Sequence, residues 1–435
     1  MSLMSHQKKI ILAAVTVIVL IIILGVFFRK IRPAPITLEF WGTSDEPVVF
    51  ASLIQDFKKE YPYISINYTL KDRGTYHEDL LRALADNKAP DILMLQDNWL
   101  SYYEDKIYPL DLTKDSYFNL LDLEQTFSQI SRNEIVKGNY LFGLPLHTDI
   151  LALYYNKDVF NNYNIVLPPT TWEEVLNLIT TLRRVNPQGQ ITRAAIALGS
   201  SSNINWEVDI ISALMMQYGS EIIDTAQKKA IFNSSIDRNG KKIIPGEEAL
   251  SFYTQFNDPY SRYYTWNDNF IDSTIAFSRG ETVMMIGYNQ AKEIINKYGA
   301  NLNYGVAPLP QFTNSSSKIN YGQTMALVVF KNSKYRKESW EFLKFLSQKN
   351  NAQDYFLQTK NPPTRLDLIQ EYLNDLDSGI FIRGIATSRN WYQYDFQSIN
   401  TIFEEMVEAV TYKGDSPLKA VNTAVERINF FWSQK

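Results

Sequence analysis

Strands and helices alternate between residues 36 and 95, and this alternation limits the possible folds more than any other feature of the sequence. Residues 36–42 and 64–68 alternate apolar with polar side chains, which is typical of strands with one buried face. Residues 92–95 are all apolar, as in a strand buried on both faces. Because strands joined by helices pair in parallel, the pattern predicts an α/β fold with doubly wound, mostly parallel sheets.

The length of 435 residues predicts more than one lobe, because single hydrophobic cores stop growing well before that size. The stretch 142–172 has the pattern of a passage between two lobes. Pro145 is expected to end one element, and the apolar run 151–155 to form a new strand of buried type. Thr171 and Glu174 have the spacing of a capping box, which opens a helix. Polar side chains between these elements would lie at the crossing, where a ligand could bind.

A long apolar run, residues 10–28, is interrupted only by Thr16 and Gly25. It is long enough to cross the hydrocarbon core of a bilayer and longer than the apolar part of most signal peptides. No small-x-small cleavage site follows it, so we expect an uncleaved single-pass anchor between a cytoplasmic tail (residues 1–9) and a linker (residues 29–35). Basic residues flank the run on both sides, and their numbers therefore do not fix its orientation.

Residue composition excludes several classes of site. The chain has no cysteine, which rules out disulfides, thiolate metal sites, a cysteine nucleophile and a lipid-modified cysteine. Three histidines are too few for a zinc site built on several imidazoles, so no metal or other cofactor is expected. Acidic residues outnumber basic ones, 47 to 43, without a basic stripe, which argues against nucleic acid as a partner.

Catalytic sequence patterns are nearly absent. There is no Gly-x-Ser-x-Gly elbow, no glycine-rich phosphate loop and no His-Glu-x-x-His. The pair Glu404 and Glu405 could suggest a glycosidase, but adjacent residues of a helix point in different directions. We therefore expect a protein that is not an enzyme, and keep a membrane-anchored carbohydrate-active enzyme as an alternative.

Eight short segments occur in a fixed order along residues 36–435. The first four are Phe40-Trp41-Gly42, Phe57 with Glu60-Tyr61-Pro62, Ala89-Pro90-Asp91-Ile92, and Tyr140-Leu141-Phe142-Gly143-Leu144-Pro145-Leu146. The last four are Tyr155-Asn156-Lys157-Asp158-Val159-Phe160 with Pro168-Pro169-Thr170-Thr171-Trp172-Glu173-Glu174, Phe277-Ser278-Arg279-Gly280-Glu281 with Val283-Met284-Met285, Tyr304-Gly305-Val306-Ala307-Pro308-Leu309-Pro310, and Trp340-Glu341-Phe342-Leu343. In this order the segments resemble the extracellular solute-binding proteins of ABC importers, in the group that includes maltose-binding protein.

The resemblance implies a two-lobed fold of the type II periplasmic-binding-protein kind, in which hinge strands join two α/β lobes that close on a solute. Placed on this sequence, it implies one lobe from residues 36–148 and 289–332, and another from residues 149–288 and 333–435. It also implies a domain outside the cytoplasm that delivers its solute to the permease subunits of an ABC importer, and we expect a monomer. Many relatives carry a cysteine lipid anchor, so in this cysteine-free chain the apolar run would replace it in the lipid bilayer.

The candidate ligand-binding side chains mostly follow predicted strands or lie at the crossing, because ligands of open α/β lobes bind beyond the carboxyl ends of the strands, while Tyr321 precedes a hinge strand and Trp391 and Tyr392 lie in an aromatic cluster before a helix. They are Trp41, Asp45, Glu46, Asp97, Trp99, His147, Asp149, Trp206, Tyr288, Gln290, Tyr321, Trp391 and Tyr392. For each, the alternative is a buried ring, a helix cap or a solvated turn. Rings together with amides and carboxylates suit a carbohydrate, which presents apolar C–H faces and hydroxyls. We therefore expect capture of a sugar or oligosaccharide for import, with a surface sugar sensor as a further alternative.

Overall fold

The computed structural model describes residues 11, 13–19, 33–238, 240–313 and 317–434. From residue 33 onward the strands are β1 (Ile36–Gly42), β2 (Ile64–Leu70), β3 (Ile92–Gln96), β4 (Leu110–Asp111), β5 (Val136–Lys137), β6 (Tyr140–Leu141), β7 (Leu144–Ile150), β8 (Ala152–Asn156), β9 (Arg184–Val185), β10 (Ile191–Ala197), β11 (Ile223–Asp224), β12 (Lys229–Ala230), β13 (Ile236–Arg238), β14 (Lys241–Ile243), β15 (Thr282–Gly287), β16 (Tyr304–Pro308), β17 (Asn320–Val329) and β18 (Ser388–Arg389).

Helices flank these strands over the same part of the chain. They are α1 (Pro47–Glu60), α2 (Tyr76–Ala85), α3 (Leu100–Tyr103), α4 (Leu120–Thr126), α5 (Gln129–Asn133), α6 (Lys157–Asn162), α7 (Trp172–Leu182), α8 (Glu207–Gln217), α9 (Pro245–Thr254), α10 (Ser273–Ser278), α11 (Ala291–Tyr298), α12 (Arg336–Ser347), α13 (Lys349–Thr359), α14 (Leu366–Glu371), α15 (Gly379–Gly384), α16 (Phe396–Thr411) and α17 (Pro417–Ser433). The predicted capping box of α7 is confirmed: the Thr171 hydroxyl accepts from the Glu174 amide, and the Glu174 carboxylate accepts from the Thr171 amide.

The first sheet is built around β1, which pairs in parallel with β2 and β3. Helix α1 connects β1 to β2 and α2 connects β2 to β3, so the predicted strand–helix alternation is confirmed. Strand β17 runs antiparallel to β3 and to β7. The carboxyl ends of β1, β2 and β3 share one edge of this sheet, and the loops that follow them meet there.

The second sheet is mixed. Strand β15 pairs in parallel with β10 and antiparallel with β8, while β16 pairs antiparallel with β8 and β9 antiparallel with β10. The prediction of mostly parallel sheets is therefore wrong for this lobe. The reason is that β8 arrives directly from the first lobe and runs between β15 and β16, antiparallel to both.

The passage between the lobes lies where the sequence predicted it. Strand β7 belongs to the first sheet and β8 to the second, with only Leu151 between them; its amide donates to the Tyr321 carbonyl at 3.0 Å. The expectation that Pro145 ends an element is wrong, because it lies inside β7 opposite Ala326, where the pairing register shifts. Proline has no N–H to give to a ladder and is tolerated at such irregularities.

Two buried cores correspond to the two lobes. The first holds residues of β1 and β3 together with Trp340 and Phe342 of α12 and Tyr355 of α13. The second holds residues of β8, β10 and β15 together with Ala291 of α11 and Val407 of α16. The sequence-based division put the segment containing α11 in the first lobe and the segment containing α12 and α13 in the second. The cores group these helices the other way round, while the division into domains itself stays a prediction.

No helix of the described ranges is long and apolar enough to cross a membrane. The predicted anchor, residues 10–28, lies mainly outside those ranges, since only residues 11 and 13–19 of it are described. These residues are helical, and their large apolar side chains are exposed; Ile11, for example, is 63% exposed.

Candidate functional site

A cavity of about 490 Å³ lies between the two lobes. Its walls follow the ends of β2, β3, β10 and β15, as expected for a ligand site of α/β lobes. The lining residues are Arg73, Gln96, Asn98, Trp99, Ser201, Ser202, Ile204, Trp206, Glu207, Val208, Asp209, Gln290, Gln323, Phe396, Asn400 and Glu404. Two small recesses of about 40 and 20 Å³ share Arg73 and Gln96 with it, and the smaller one reaches His147 and Asp149.

Aromatic rings stand on both sides of this cavity. Trp99, after β3, stacks on Phe396 at the start of α16, with ring centroids 4.4 Å apart and planes inclined by 12°. Trp206 lies edge-on to the buried ring of Tyr288 at 5.5 Å. The backbone of Trp206 is left-handed, with φ of 60°, which is unusual for so bulky a residue. Such strain persists where surrounding contacts hold the residue, and it is concentrated at functional sites.

Two carboxyl groups at the start of α8 form the acidic end of the cavity. Asp209 accepts from the Tyr288 hydroxyl at 3.0 Å and from Gln323 Nε2 at 2.6 Å, and burial raises its pKa to about 7. Glu207 is only 7% exposed. Burial, with the charges of Glu404 and Glu408, raises the pKa of Glu207 to about 8, and its Oε1 atom has no hydrogen-bond partner among the described residues.

Polar contacts join the lobes across the cavity. Arg73 of the first lobe donates through Nη1 to Gln290 Oε1 of the second. Asn98 Nδ2 donates to Gln393 Oε1 at 3.4 Å. Gln96 Nε2 donates to Gln323 Oε1 at 3.1 Å, which continues the chain of amides to Asp209. The walls of the cavity therefore present amide and carboxyl groups at short range from both sides.

Two predicted acids are buried at the lobe crossings rather than exposed to the cavity. Asp97 accepts from the Thr324 amide at 3.0 Å and from Asn390 Nδ2 at 2.9 Å. Asp149 accepts from the amides of Asn289 at 2.9 Å and Gln290 at 3.1 Å. Burial raises the pKa of each acid to about 6. Both carboxylates tie crossing segments together.

His147 belongs to a buried chain of three side chains. The Tyr355 hydroxyl donates to Asp45 Oδ2 at 2.8 Å, and its oxygen lies 2.8 Å from His147 Nδ1. Because that hydroxyl has one proton, Nδ1–H of His147 is the donor to Tyr355. Burial, with the positive charge of Arg73, lowers the pKa of His147 to about 3, and burial raises that of Asp45 to about 6. The histidine is therefore neutral at pH 7.

The remaining predicted residues do not line the main cavity. Tyr288 and Tyr321 are buried behind its wall, and Trp391 is buried in the second core with its indole N–H donating to Ser212 Oγ at 3.0 Å. Three others are at least partly exposed elsewhere: Trp41 lies under Lys71 Nζ at 3.8 Å, Tyr392 stacks on Trp432 at 5.6 Å, and Glu46 precedes α1. Of the predicted set, Trp99, Trp206 and Gln290 line the main cavity, and His147 and Asp149 reach its small extension.

Several lining residues were not predicted. Arg73 lies in the turn after β2, so the rule that selected the other candidates applies to it as well. Phe396, Asn400 and Glu404 follow one another at four-residue spacing along α16 and therefore share one face of that helix. That polar and aromatic stripe was the available signal. In the described ranges, no group of acidic and histidine side chains could hold a metal ion.

Comparison with known proteins gives consistent matches. A family model described as bacterial extracellular solute-binding protein matches residues 42–353. A putative binding protein of Brucella abortus is 24% identical over 347 residues, covering 78% of this chain and 79% of that protein. The multiple sugar-binding protein of Streptococcus mutans is 21% identical over 329 residues, covering 74% and 73%. An ABC-transporter solute-binding protein of Thermotoga lettingae, solved with α-D-tagatose, shares the fold with a TM-score of 0.71 at 20% identity, covering 91% of this chain and 99% of that one.

Proposed function

The chain belongs to the bacterial extracellular solute-binding proteins, and from that premise we propose that it captures a carbohydrate between its lobes and passes it to an ABC import permease. The observation that carries the proposal is the composition of the cavity wall. Trp206 and the stacked pair of Trp99 and Phe396 give the wall apolar ring surface. Gln96, Asn98 and the acids of α8 offer hydrogen-bonding groups. Sugars combine apolar C–H faces with hydroxyls, so they can pack on the rings and form hydrogen bonds with the polar groups of the same cavity. The volume lies within the usual range for small-molecule pockets, about 300–1,000 Å³.

Relatives support the same class of solute. The Streptococcus mutans relative is named as a sugar-binding protein, and the Thermotoga lettingae structure holds a sugar. Both matches are distant, so they support a carbohydrate as the class of solute but do not identify which carbohydrate is bound. We further propose that residues 10–28 anchor the protein in the cell membrane, with the binding lobes outside the cytoplasm.

A ligand screen on the full chain tests the proposal. The protein is purified in a detergent without a sugar head group and screened by thermal shift against mono- and oligosaccharides; hits are then measured by calorimetry and tryptophan fluorescence. We expect saturable binding of one sugar class, a fluorescence change as Trp99 and Trp206 are covered, and no conversion of the sugar. Cleavage of the bound sugar would replace this reading with that of a carbohydrate-active enzyme.

Transport and sensing are separated by the neighbouring genes and by uptake. Import predicts an adjacent pair of permease genes, and loss of uptake of the identified sugar when this gene is deleted. Unchanged uptake with loss of a response to that sugar would favour a surface sensor instead.

A further inference from the structure

We propose that the cavity selects a solute that carries a protonated amine, an amino sugar rather than a neutral sugar, with its ammonium group against Glu207. The proposal rests on the function proposed above, because it names the class of solute for the same cavity. It is carried by three observations on the cavity wall: an excess of acidic over basic side chains, a buried carboxyl oxygen without a partner, and two further polar atoms without partners.

Acidic side chains outnumber basic ones in the cavity wall. Three acids, Glu207, Asp209 and Glu404, line it, against one cation, Arg73. Arg73 already donates to Gln290 on the opposite wall. In the part of the chain that the structure describes, none of the three acids lies within ion-pair distance of a basic side chain. A cation on the solute would favour the ionised form of these acids and would attract them once they are ionised.

The buried oxygen of Glu207 requires a donor. Oε1 is buried and has no hydrogen-bond partner among the described residues, although a buried polar atom without one is unfavourable. The residue lines the cavity and is only 7% exposed, so bulk water has little access to it. Its position therefore calls for a donor group on the solute.

Two more unpartnered atoms line the same cavity. Asn98 Oδ1 and Ser201 Oγ are buried without partners in the described structure, and both can accept a hydrogen bond. An ammonium group has three donors and no acceptor, whereas a sugar hydroxyl has one donor. An ammonium group could thus donate to more than one acceptor of the wall, whereas a single hydroxyl could donate to only one.

The protonation of Glu207 fits this role. In the free protein, burial and the nearby acids Glu404 and Glu408 raise its pKa to about 8, so the cavity does not hold a bare buried charge. A cation placed beside a carboxyl group favours its ionised form. The carboxylate therefore forms together with its counter-charge, and the resulting hydrogen bond is of the strong, charge-assisted kind.

The test compares sugars that differ in one substituent. Glucosamine, N-acetylglucosamine and glucose form one set, the galactose analogues a second, and the β-1,4-linked dimers of glucosamine, N-acetylglucosamine and glucose a third. Binding to the full chain is measured at pH 7 in detergent without a sugar head group. We expect the amine of at least one set to bind about tenfold or more tighter than its neutral and acetylated partners, as for a hydrogen bond to a charged group.

Variants assign the preference to its residue. Glu207→Gln should bring the amine and its neutral partner to nearly equal affinity. Glu404→Gln changes an exposed side chain and should therefore alter stability little, but it should reduce the preference severalfold. The matched control is Glu405→Gln, which removes a carboxylate of the same helix that pairs with Arg427 and does not line the cavity; it should keep the full preference.

Each outcome decides between the two proposals. If neutral or acetylated sugars bind as tightly as the amines or more tightly, the proposed preference for an amine is wrong, while the proposed carbohydrate-binding function stands. Binding of a non-sugar amine such as putrescine, without binding of any sugar, supports the amine site and overturns the carbohydrate. If neither amines nor sugars bind, both proposals fail. A preference that survives in both Glu207→Gln and Glu404→Gln also overturns the proposed site.

Discussion

Trp206 and Trp391 are both tryptophans in loops before helices, yet the structure gives them opposite surroundings. Trp206 lines the cavity, whereas Trp391 is 6% exposed within the second core. We expect Trp206→Ala to weaken sugar binding by about 1–3 kcal/mol, as for a central aromatic contact, with little loss of stability. Trp391→Ala should instead lower the free energy of unfolding by about 3–5 kcal/mol, as for a truncated core ring. Calorimetry and urea unfolding measure the two effects, and the reverse result would contradict this placement.

The buried acids predict how stability depends on pH. The pKa values of Glu207 and Asp209 are raised to about 8 and about 7, so between the ordinary and the raised value the folded chain binds more protons than the unfolded one. Their contribution to stability therefore falls as pH rises. The lowered pKa of His147 acts in the opposite direction only below its ordinary value of 6.5.

The window from about pH 6.5 to 8.5 excludes the opposing contribution of His147, while Glu134, whose pKa burial raises to about 7, contributes in the same direction as Glu207 and Asp209. Wild-type protein should lose stability across it, and Glu207→Gln should lose less, since each unit of pKa shift corresponds to about 1.4 kcal/mol. Thermal unfolding at three pH values in this window checks the slope. Parallel curves for wild type and variant would show that Glu207 does not titrate in it.

The sequence predicted the position of the cavity better than it predicted which residues line it. The ends of predicted strands identified Trp99, Trp206 and Gln290, because strand ends converge whatever the details of packing. Tyr288 was proposed on the same rule, Tyr321 because it precedes a hinge strand, and Trp391 because it lies in an aromatic cluster before a helix. All three belong to a core that forms only when distant segments meet. Phe396 was missed for the same reason, since its place opposite Trp99 depends on how the lobes come together.

The elements that cross between lobes are held by carboxylates rather than by apolar contacts alone. Asp149, at the end of β7, accepts from two amides just before α11. Asp149→Ala would leave these buried N–H groups without partners, and we expect a loss of about 2–4 kcal/mol in the free energy of unfolding. Asp149→Asn keeps one carbonyl oxygen as an acceptor and should lose less.

A matched control comes from an exposed acid with a single partner. Asp158 accepts from Asn303 Nδ2 at the surface, and Asp158→Ala should change stability by about 0.5 kcal/mol or less. Urea unfolding compares the three variants. Equal stability of Asp149→Ala and Asp158→Ala would mean that the carboxylate does not hold the crossing.

Most elements could be read from the sequence because their patterns are local. The alternation of residues 36–42 and the capping box at Thr171 need no knowledge of the rest of the chain. Strand direction was harder to predict. The residues of β8 do not indicate that it pairs antiparallel with β15. Its direction is set by its direct connection to β7 in the first lobe. Pro145 shows the same limit, because the register shift that accommodates it involves β17, far away in sequence.

The whole molecule is two lobes whose cores interleave along the chain. Helices α12 and α13 belong to the first core, although they follow most of the second core in sequence. No local sequence pattern predicts this return to the first lobe. The family resemblance did predict the number of lobes and the cleft, because eight ordered segments carry the arrangement as a unit. It did not assign each late helix to its lobe.

The two cores also predict how the chain behaves without its first residues. Among the described residues, every buried member of either core lies at position 38 or later, and the apolar side chains at 11 and 13–19 are exposed. A chain that begins at residue 35 should therefore keep its stability within about 0.5 kcal/mol and its sugar affinity. It should stay in solution without detergent, while the full chain should float with lipid vesicles in a density gradient. Aggregation of the shortened chain would show that the apolar run packs on the lobes, and full chain left at the bottom of the gradient would remove the proposed anchor.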